Sequence, residues 1–173
     1  MKYLTLFEKF YNPSKNIQKK LDDIVFGLLQ KYNGGREFFK ALDNAIKDFS
    51  NKDLIISLLK GNENEWICSS GGFGDKLHNL YENGDIKCKG LLIFNGKMYT
   101  KDKGITSYYP ENFDMSNKKF IFIDDSLFTG KTYLKIDEFL SEFNSKIKEV
   151  LVVYDGSKSY NPIIKSLFKY YDK

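Results

Sequence analysis

The apolar residues have a helical spacing up to residue 62, whereas after it short apolar runs alternate with segments of helical spacing. Over residues 17–32 they recur every three or four positions, which predicts an amphipathic helix. The same spacing predicts a second helix over residues 38–49 and a shorter third helix over residues 51–60. Residues 1–11 show no clear spacing. We therefore expect residues 1–62 to form a helical cap that packs on the rest of the chain.

From residue 63 onward, short apolar runs alternate with segments of helical spacing. The predicted strands are residues 66–68, 90–94, 120–123 and 150–154, and the predicted helices are residues 75–82, 131–143 and 163–171. Strands that alternate with helices pair mainly in parallel, with helices packed on both faces of the sheet. The sequence thus predicts an α/β core over residues 63–173, which joins the helical cap in a single domain over residues 1–173.

Composition and charge exclude several classes of protein. A 42% share of hydrophobic residues is typical of a globular chain rather than a disordered one. The formal net charge of +4 comes from dispersed lysines, so we do not expect nucleic acid as a partner. Cys68 and Cys88 lie in apolar runs, and a single histidine leaves no zinc site, which favours a reducing cytoplasm. Without a long apolar run or a targeting segment, we expect a cytoplasmic protein with no membrane partner.

The segment with the clearest chemistry is residues 119–132. Its predicted strand ends at two adjacent carboxylates, Asp124 and Asp125, and a turn with Thr129 and Gly130 leads into a predicted helix. Ligands of open α/β sheets bind at the carboxyl ends of the strands. A helix that begins after such a turn offers free N–H groups to an anion, and carboxylates accept hydrogen bonds from sugar hydroxyls or hold Mg²⁺.

This order of residue types resembles the 5-phosphoribosyl-1-diphosphate (PRPP) binding motif of the type I phosphoribosyltransferases. That motif is an apolar strand, two acidic residues, a short spacer and Thr-Gly-x-Thr. The resemblance implies that Asp124 and Asp125 bind the ribose hydroxyls and Mg²⁺. It implies a 5′-phosphate site made by the following residues: Ser126, Leu127, Phe128, Thr129, Gly130, Lys131 and Thr132. The simpler alternative is a strand end with two solvated aspartates and a helix cap.

The same resemblance implies an activity. Phosphoribosyltransferases transfer the 5-phosphoribosyl group from PRPP to a nitrogenous base and release pyrophosphate. The expected ligands are therefore PRPP or a related ribose phosphate, Mg²⁺ as cofactor, and a nucleobase-like acceptor. A homodimer and a monomer are both compatible with the sequence. The alternative from another class is a protein of this fold that binds a nucleotide or a phosphorylated ribose without catalysis.

A glycine-rich stretch at residues 69–74 occupies the place where phosphoribosyltransferases carry a pyrophosphate-binding loop. We expect Ser70, Gly71 and Gly72 to contact a diphosphate from a loop, because glycines allow the backbone to approach a ligand closely. The stretch does not match the loop of any one subfamily. Lys76 either adds positive charge to this site or lies on a solvated helix face.

Residues 97–109 are polar, with Gly104 in their middle, which indicates a mobile hairpin. The run at residues 95–104 is similar to the flexible loop of orotate phosphoribosyltransferases, and its three lysines could close over a polyanion. By this resemblance, Lys101 and Lys103 are the candidate catalytic cations and Lys97 is a candidate diphosphate ligand. A solvated, charged hairpin is the alternative.

The acceptor site is the least defined part of the sequence. The Gly-Lys-Thr of the motif is similar to hypoxanthine–guanine enzymes, but the acidic residue that those enzymes carry just before Thr-Gly is Phe128 here. Tyr154 and Asp155 end a predicted strand and are candidates to face a base. Alternatively, Tyr154 belongs to the core and Asp155 to a plain turn. The N-terminal helices are candidates for a hood over the base, although no residue in them is singled out.

Overall fold

The computed structural model describes residues 2–6, 15–94, 105–109, 114–157 and 161–172. Within these residues the strands are β1 (Lys2–Leu6), β2 (Trp66–Ser70), β3 (Gly90–Phe94), β4 (Ile105–Tyr109), β5 (Lys119–Leu127), β6 (Lys146–Asp155) and β7 (Ile164–Asp172). The helices are α1 (Lys15–Lys31), α2 (Gly35–Phe49), α3 (Lys52–Leu59), α4 (Gly71–Glu82) and α5 (Lys131–Ser141).

The described strands form one sheet in the order β1-β7-β6-β5-β2-β3-β4. The five inner strands, from β7 to β3, pair in parallel, and the outer strands β1 and β4 pair antiparallel with their neighbours. The crossovers from β2 to β3 and from β5 to β6 run through α4 and α5. The predicted α/β fold with a mainly parallel sheet is therefore confirmed.

The sheet is buried on both faces because successive side chains of a strand point to opposite sides. On β5, Ile121 and Ile123 pack into the core under α1 to α4. Phe120 and Phe122, on the other face of the same strand, pack with residues of α5. This alternation leaves α2 and α4 on one side of the end of β5 and α5 on the other side.

The predicted helix over residues 163–171 is wrong, because this segment is strand β7. It pairs in parallel with β6 and antiparallel with β1. Apolar residues in the segment fit helical spacing, but the outer side of β6 presents backbone N–H and C=O groups that need partners. Pairing with β7 satisfies them, and this long-range requirement overrides the local spacing of a short apolar segment.

Three smaller differences concern the ends of two elements and an additional strand. The predicted loop over residues 69–74 is wrong, because β2 continues through Ser70 and α4 begins at Gly71, whose φ is +57°. Strand β5 does not stop before the aspartates but continues to Leu127, opposite Asp155 of β6. Residues 2–6, within the segment expected to be a helical cap, form an edge strand of the sheet. The division into cap and core at residue 62 stays a prediction.

Candidate functional site

A cleft of about 520 Å³ opens at the carboxyl ends of β2 and β5. These two strands are parallel neighbours, and each leads into a helix: β2 into α4 directly and β5 into α5 through a short turn. Both helix N-termini therefore open at the same edge of the sheet, which is where parallel α/β sheets bind ligands. Helix α2 closes a third side of the cleft.

Most residues that the sequence predicts for the site line this cleft. They are Ser70, Gly71, Gly72, Asp124, Asp125, Ser126, Leu127, Phe128, Thr129, Gly130, Lys131 and Thr132. Two segments that are about fifty residues apart in the chain are thus brought together, as the resemblance implies. Lys97, Lys101 and Lys103 lie outside the described residues. Of the predicted hairpin, Ile105–Tyr109 is described and pairs antiparallel with β3.

Tyr154 and Asp155 do not line the cleft. The Tyr154 side chain is fully buried in the core, with its ring centroid 6.1 Å from that of Phe128. The Asp155 carboxylate is also buried, and its Oδ1 accepts hydrogen bonds from the backbone N–H and the hydroxyl of Ser157 at 2.9 and 2.6 Å. These positions match the alternative of a core aromatic and a turn, and contact with a base stays an untested prediction.

Asp124 and Asp125 lie side by side in a poorly solvated place. The backbone N–H of Asp125 donates to Asp124 Oδ1 at 2.8 Å, and the Asp125 side chain is buried. Burial raises the pKa of Asp124 well above its usual value, and the neighbouring charge of Asp125 raises it further, while Lys47 opposes the shift. Two carboxylates that disfavour each other's charge are stabilised by a bound cation or by hydroxyl donors.

This donor set fits Mg²⁺, which prefers oxygen ligands and usually binds through one or two carboxylates plus waters and ligand phosphates. Among the described residues there is no cluster of three or more side chains suited to holding a metal ion by themselves. Asp124 and Asp125 would therefore share the ion with oxygen atoms of a bound ligand.

The turn between β5 and α5 presents exposed polar groups to the cleft. Gly130 adopts a left-handed backbone with φ of +74° and ψ of +4°, and a Cβ at this position would meet Cε1 of Tyr133 at 2.8 Å. Beyond it, Lys131 and Thr132 are exposed at the N-terminus of α5, where backbone N–H groups lack partners within the helix. The Thr129 side chain is also exposed, and its Oγ1 accepts a hydrogen bond from the backbone N–H of Lys131 at 3.4 Å.

Helix α2 adds two residues that the sequence analysis missed. The Ser126 hydroxyl donates to Asp43 Oδ1 at 2.8 Å, and Lys47 Nζ forms an ion pair with Asp43 Oδ2 at 2.7 Å. The hydrogen bond to Asp43 is the main cause that raises the pKa of Lys47, and the charges of Asp124 and Asp125 contribute. The spacing of Asp43 and Lys47 beside an apolar stripe was visible in the sequence, but not the strand end that they face.

Lys76 of α4 is exposed and makes a contact with α2 that the sequence did not predict, while both alternatives for its role stay untested. Its ammonium donates to the backbone carbonyls of Lys47 at 2.9 Å and Ser50 at 3.3 Å. These carbonyls lie at the C-terminal end of α2, where they have no partner within the helix. Lys76 thus joins α4 to α2 while it also lines the cleft.

Phe128, the residue before Thr129, is part of an aromatic cluster. Its ring centroid lies 6.1 Å from that of Phe39 in an edge-to-face arrangement. It also covers Gly156, where an added Cβ would meet the Phe128 ring at 2.7 Å. The position before Thr129 therefore contributes to packing, although one side of it borders the cleft.

None of the helices in the described part of the chain combines the length and the apolar character needed to cross a membrane.

No family model matches the sequence, and no curated protein matches it. Solved structures do match. A hypoxanthine phosphoribosyltransferase from Staphylococcus aureus aligns at 16% identity over 69% of this chain and 74% of its own, with a TM-score of 0.43. A purine phosphoribosyltransferase from Pyrococcus horikoshii aligns at 21% identity over 74% of this chain and 82% of its own, with a TM-score of 0.42.

A third match is the adenine phosphoribosyltransferase from Trypanosoma brucei in complex with AMP, pyrophosphate and ribose-5-phosphate. It aligns at 14% identity over 88% of this chain and 75% of its own, with a TM-score of 0.45. All three of these solved structures are phosphoribosyltransferases, the family that the motif at residues 119–132 resembles.

Proposed function

We propose that the cleft binds PRPP, or a related phosphorylated ribose, together with Mg²⁺. We further propose that the protein transfers the 5-phosphoribosyl group to a nitrogenous base and releases pyrophosphate. One observation carries this proposal: two helix N-termini open onto a single cleft, with Asp124 and Asp125 between them. A sugar that carries an anionic group at each end matches this arrangement, because each helix N-terminus favours negative charge.

In the proposed complex each part of the site has a role. Asp124 and Asp125 accept hydrogen bonds from the ribose hydroxyls and hold Mg²⁺, which when bound supplies positive charge to the diphosphate. The turn from Thr129 to Thr132 binds the 5′-phosphate. Gly71 and Gly72 let the diphosphate approach the start of α4, since the space beside both residues is open within 4 Å.

The reaction needs no side-chain nucleophile. The bond between the ribose C1′ and the diphosphate oxygen breaks, and pyrophosphate leaves with the electron pair. A base nitrogen forms the new bond to C1′, and its proton passes to solvent. Catalysis then comes from positioning and from neutralising the departing charge. We propose Lys97, Lys101 and Lys103 for part of that neutralisation, as their resemblance to the flexible loop implies.

The test of binding is a thermal melt with PRPP, with and without Mg²⁺. A ligand at one hundred times its Kd should stabilise the folded protein by about 2.7 kcal/mol. Asp124→Asn and Asp125→Asn should remove this response, and Asp75→Asn, an exposed change on α4, should keep it. A wild-type protein that does not respond to millimolar PRPP in either condition contradicts the proposal.

A protein that binds the ligand without catalysis is the second candidate. It is favoured by the aromatic packing of Phe128 and by the burial of Tyr154 and Asp155, which leaves the predicted base contacts away from the cleft. Release of pyrophosphate over a panel of purines, pyrimidines and pyridines separates the candidates. A transferase should also lose about 10²-fold in kcat on Lys101→Ala while it keeps its PRPP affinity. A binder should release no pyrophosphate with any base.

A further inference from the structure

The cleft contains a cation that does not belong to the PRPP motif. The Lys47 ammonium comes from α2, its side chain is 53% exposed, and it lines the cleft. The carboxylate of Asp43, one helical turn earlier, holds the ammonium at 2.7 Å. A lysine is positively charged at neutral pH, and that hydrogen bond raises the pKa of Lys47 further.

Lys47 lies on the side of the cleft that the start of α4 forms. Lys76, a residue of α4, donates to the backbone carbonyl of Lys47 at 2.9 Å, and this contact fixes residue 47 against α4. The turn that we propose for the 5′-phosphate belongs to α5, on the opposite face of the sheet. Lys47 is therefore placed for an anionic group at the α4 end of the cleft rather than at the α5 end.

The ion pair between Lys47 and Asp43 differs from an ordinary pair on a helix surface because Asp43 has a third partner. An i, i+4 pair on a solvated helix adds only about 0.3–0.5 kcal/mol and has no need of a third partner. Here Asp43 uses one oxygen for Lys47 and the other for the hydroxyl of Ser126, a residue at the end of β5. The ammonium is thus held over the strand end that carries the paired carboxylates.

We propose that Lys47 binds the diphosphate group of the ligand, so that preference for PRPP over ribose 5-phosphate depends on helix α2. Asp43 is the positioning residue that keeps the ammonium over the cleft. The inference rests on the proposed function, because it takes a phosphorylated ribose as the ligand of the cleft. It adds to that function a residue that selects for the diphosphate.

The experiment compares the Kd of PRPP with the Kd of ribose 5-phosphate by calorimetry at one fixed concentration of Mg²⁺. The proteins are the wild type, Lys47→Met, Lys47→Arg and the control Lys40→Met, which removes an exposed lysine of the same helix away from the cleft. We expect Lys47→Met to weaken PRPP binding about tenfold or more, the effect of losing one charge-assisted contact. Ribose 5-phosphate should bind Lys47→Met as it binds the wild type.

The variants Lys47→Arg and Lys40→Met test whether the effect depends on the charge and on its position. Lys47→Arg keeps the charge and should retain most of the PRPP affinity, and Lys40→Met should match the wild type with both ligands. Equal losses for both ligands in Lys47→Met, or no loss for PRPP, overturn the role of Lys47 while the proposed function stands. A wild type that binds neither ligand overturns the proposed function and the role of Lys47 together.

Discussion

The hydroxyl of Ser126 donates a hydrogen bond to the carboxylate of Asp43 at 2.8 Å, and this contact joins helix α2 to the carboxyl end of β5. The two residues are 83 positions apart in the chain. The same hydroxyl lies 3.4 Å from Asp125 Oδ1, but its single proton serves the nearer carboxylate. Through this bond the helical layer reaches the residues proposed to bind the sugar.

The bond between Ser126 and Asp43 should be measurable as a coupling energy. Ser126→Ala, Asp43→Ala and the double variant form a cycle, read from the free energy of unfolding in urea. Because hydrogen bonds to charged groups contribute about 1.5–3 kcal/mol, we expect a coupling energy on the order of 1 kcal/mol or more. Pairing Ser126→Ala with Asp48→Asn, an exposed change on the same helix, should give no coupling. Strictly additive effects of Ser126→Ala and Asp43→Ala would show that the bond is absent in solution.

The raised pKa of Asp124 makes Asp124→Asn a stabilising change at neutral pH. In the folded protein the Asp124 carboxyl holds its proton to a higher pH than in the unfolded chain, because of burial and the charge of Asp125. The penalty for its charge is therefore fully present above the folded pKa. This penalty decreases as the pH falls from the folded pKa of Asp124 toward 3.8, the usual pKa of an aspartate.

We expect Asp124→Asn to melt at a higher temperature than the wild type at pH 7, and the difference to shrink as the pH is lowered toward 4. The exposed change Asp75→Asn should show no such trend with pH. A variant that melts at a lower temperature than the wild type at pH 7 would mean that Asp124 is stabilised in its charged form by contacts other than those described here.

Gly130→Ala should destabilise the fold through both its backbone and its neighbours. An L-residue at a φ of +74° costs roughly 1–2 kcal/mol, and the added Cβ meets the Tyr133 ring at 2.8 Å. We expect a loss on the order of 2 kcal/mol or more in the free energy of unfolding. Gly27→Ala, in open space within α1, is the matched control and should stabilise the fold by about 0.5–1 kcal/mol. Equal stabilities of the two variants would contradict the left-handed turn.

An acidic residue at position 128 should damage the fold rather than add a base-binding group. Phe128→Asp removes an aromatic side chain that packs against Phe39 and Tyr154, and it places a charge beside them. Loss of a packed phenylalanine costs on the order of 3 kcal/mol, and burying the charge adds to this. Phe128→Leu should cost much less in the same urea titration. A Phe128→Asp variant as stable as the wild type would mean that the side chain points into the cleft and is solvated there.

The sequence by itself determined the elements whose apolar pattern is strong and local. Strand β3 and the helices α2 and α3 fall within a few residues of the predicted bounds, because their side chains repeat with one period and turn residues end them. The motif at the end of β5 could also be identified, since its chemistry lies within fourteen consecutive residues. That this motif lies beside Ser70, Gly71 and Gly72 could be predicted because parallel strands present their carboxyl ends at one edge of the sheet.

The tertiary structure alone decided the features that depend on partners far away in the chain. Residues 164–172 form strand β7 because β6 and β1 offer it a hydrogen-bonded place in the sheet, which no local pattern reveals. Asp43 and Lys47 enter the cleft because packing of the apolar face of α2 fixes the rotation of the helix. Tyr154 is buried because β6 runs through the centre of the fold, so its ring packs against Phe128 instead of facing a ligand. In each case a contact between distant residues, absent from any short stretch of sequence, set the position of the side chain.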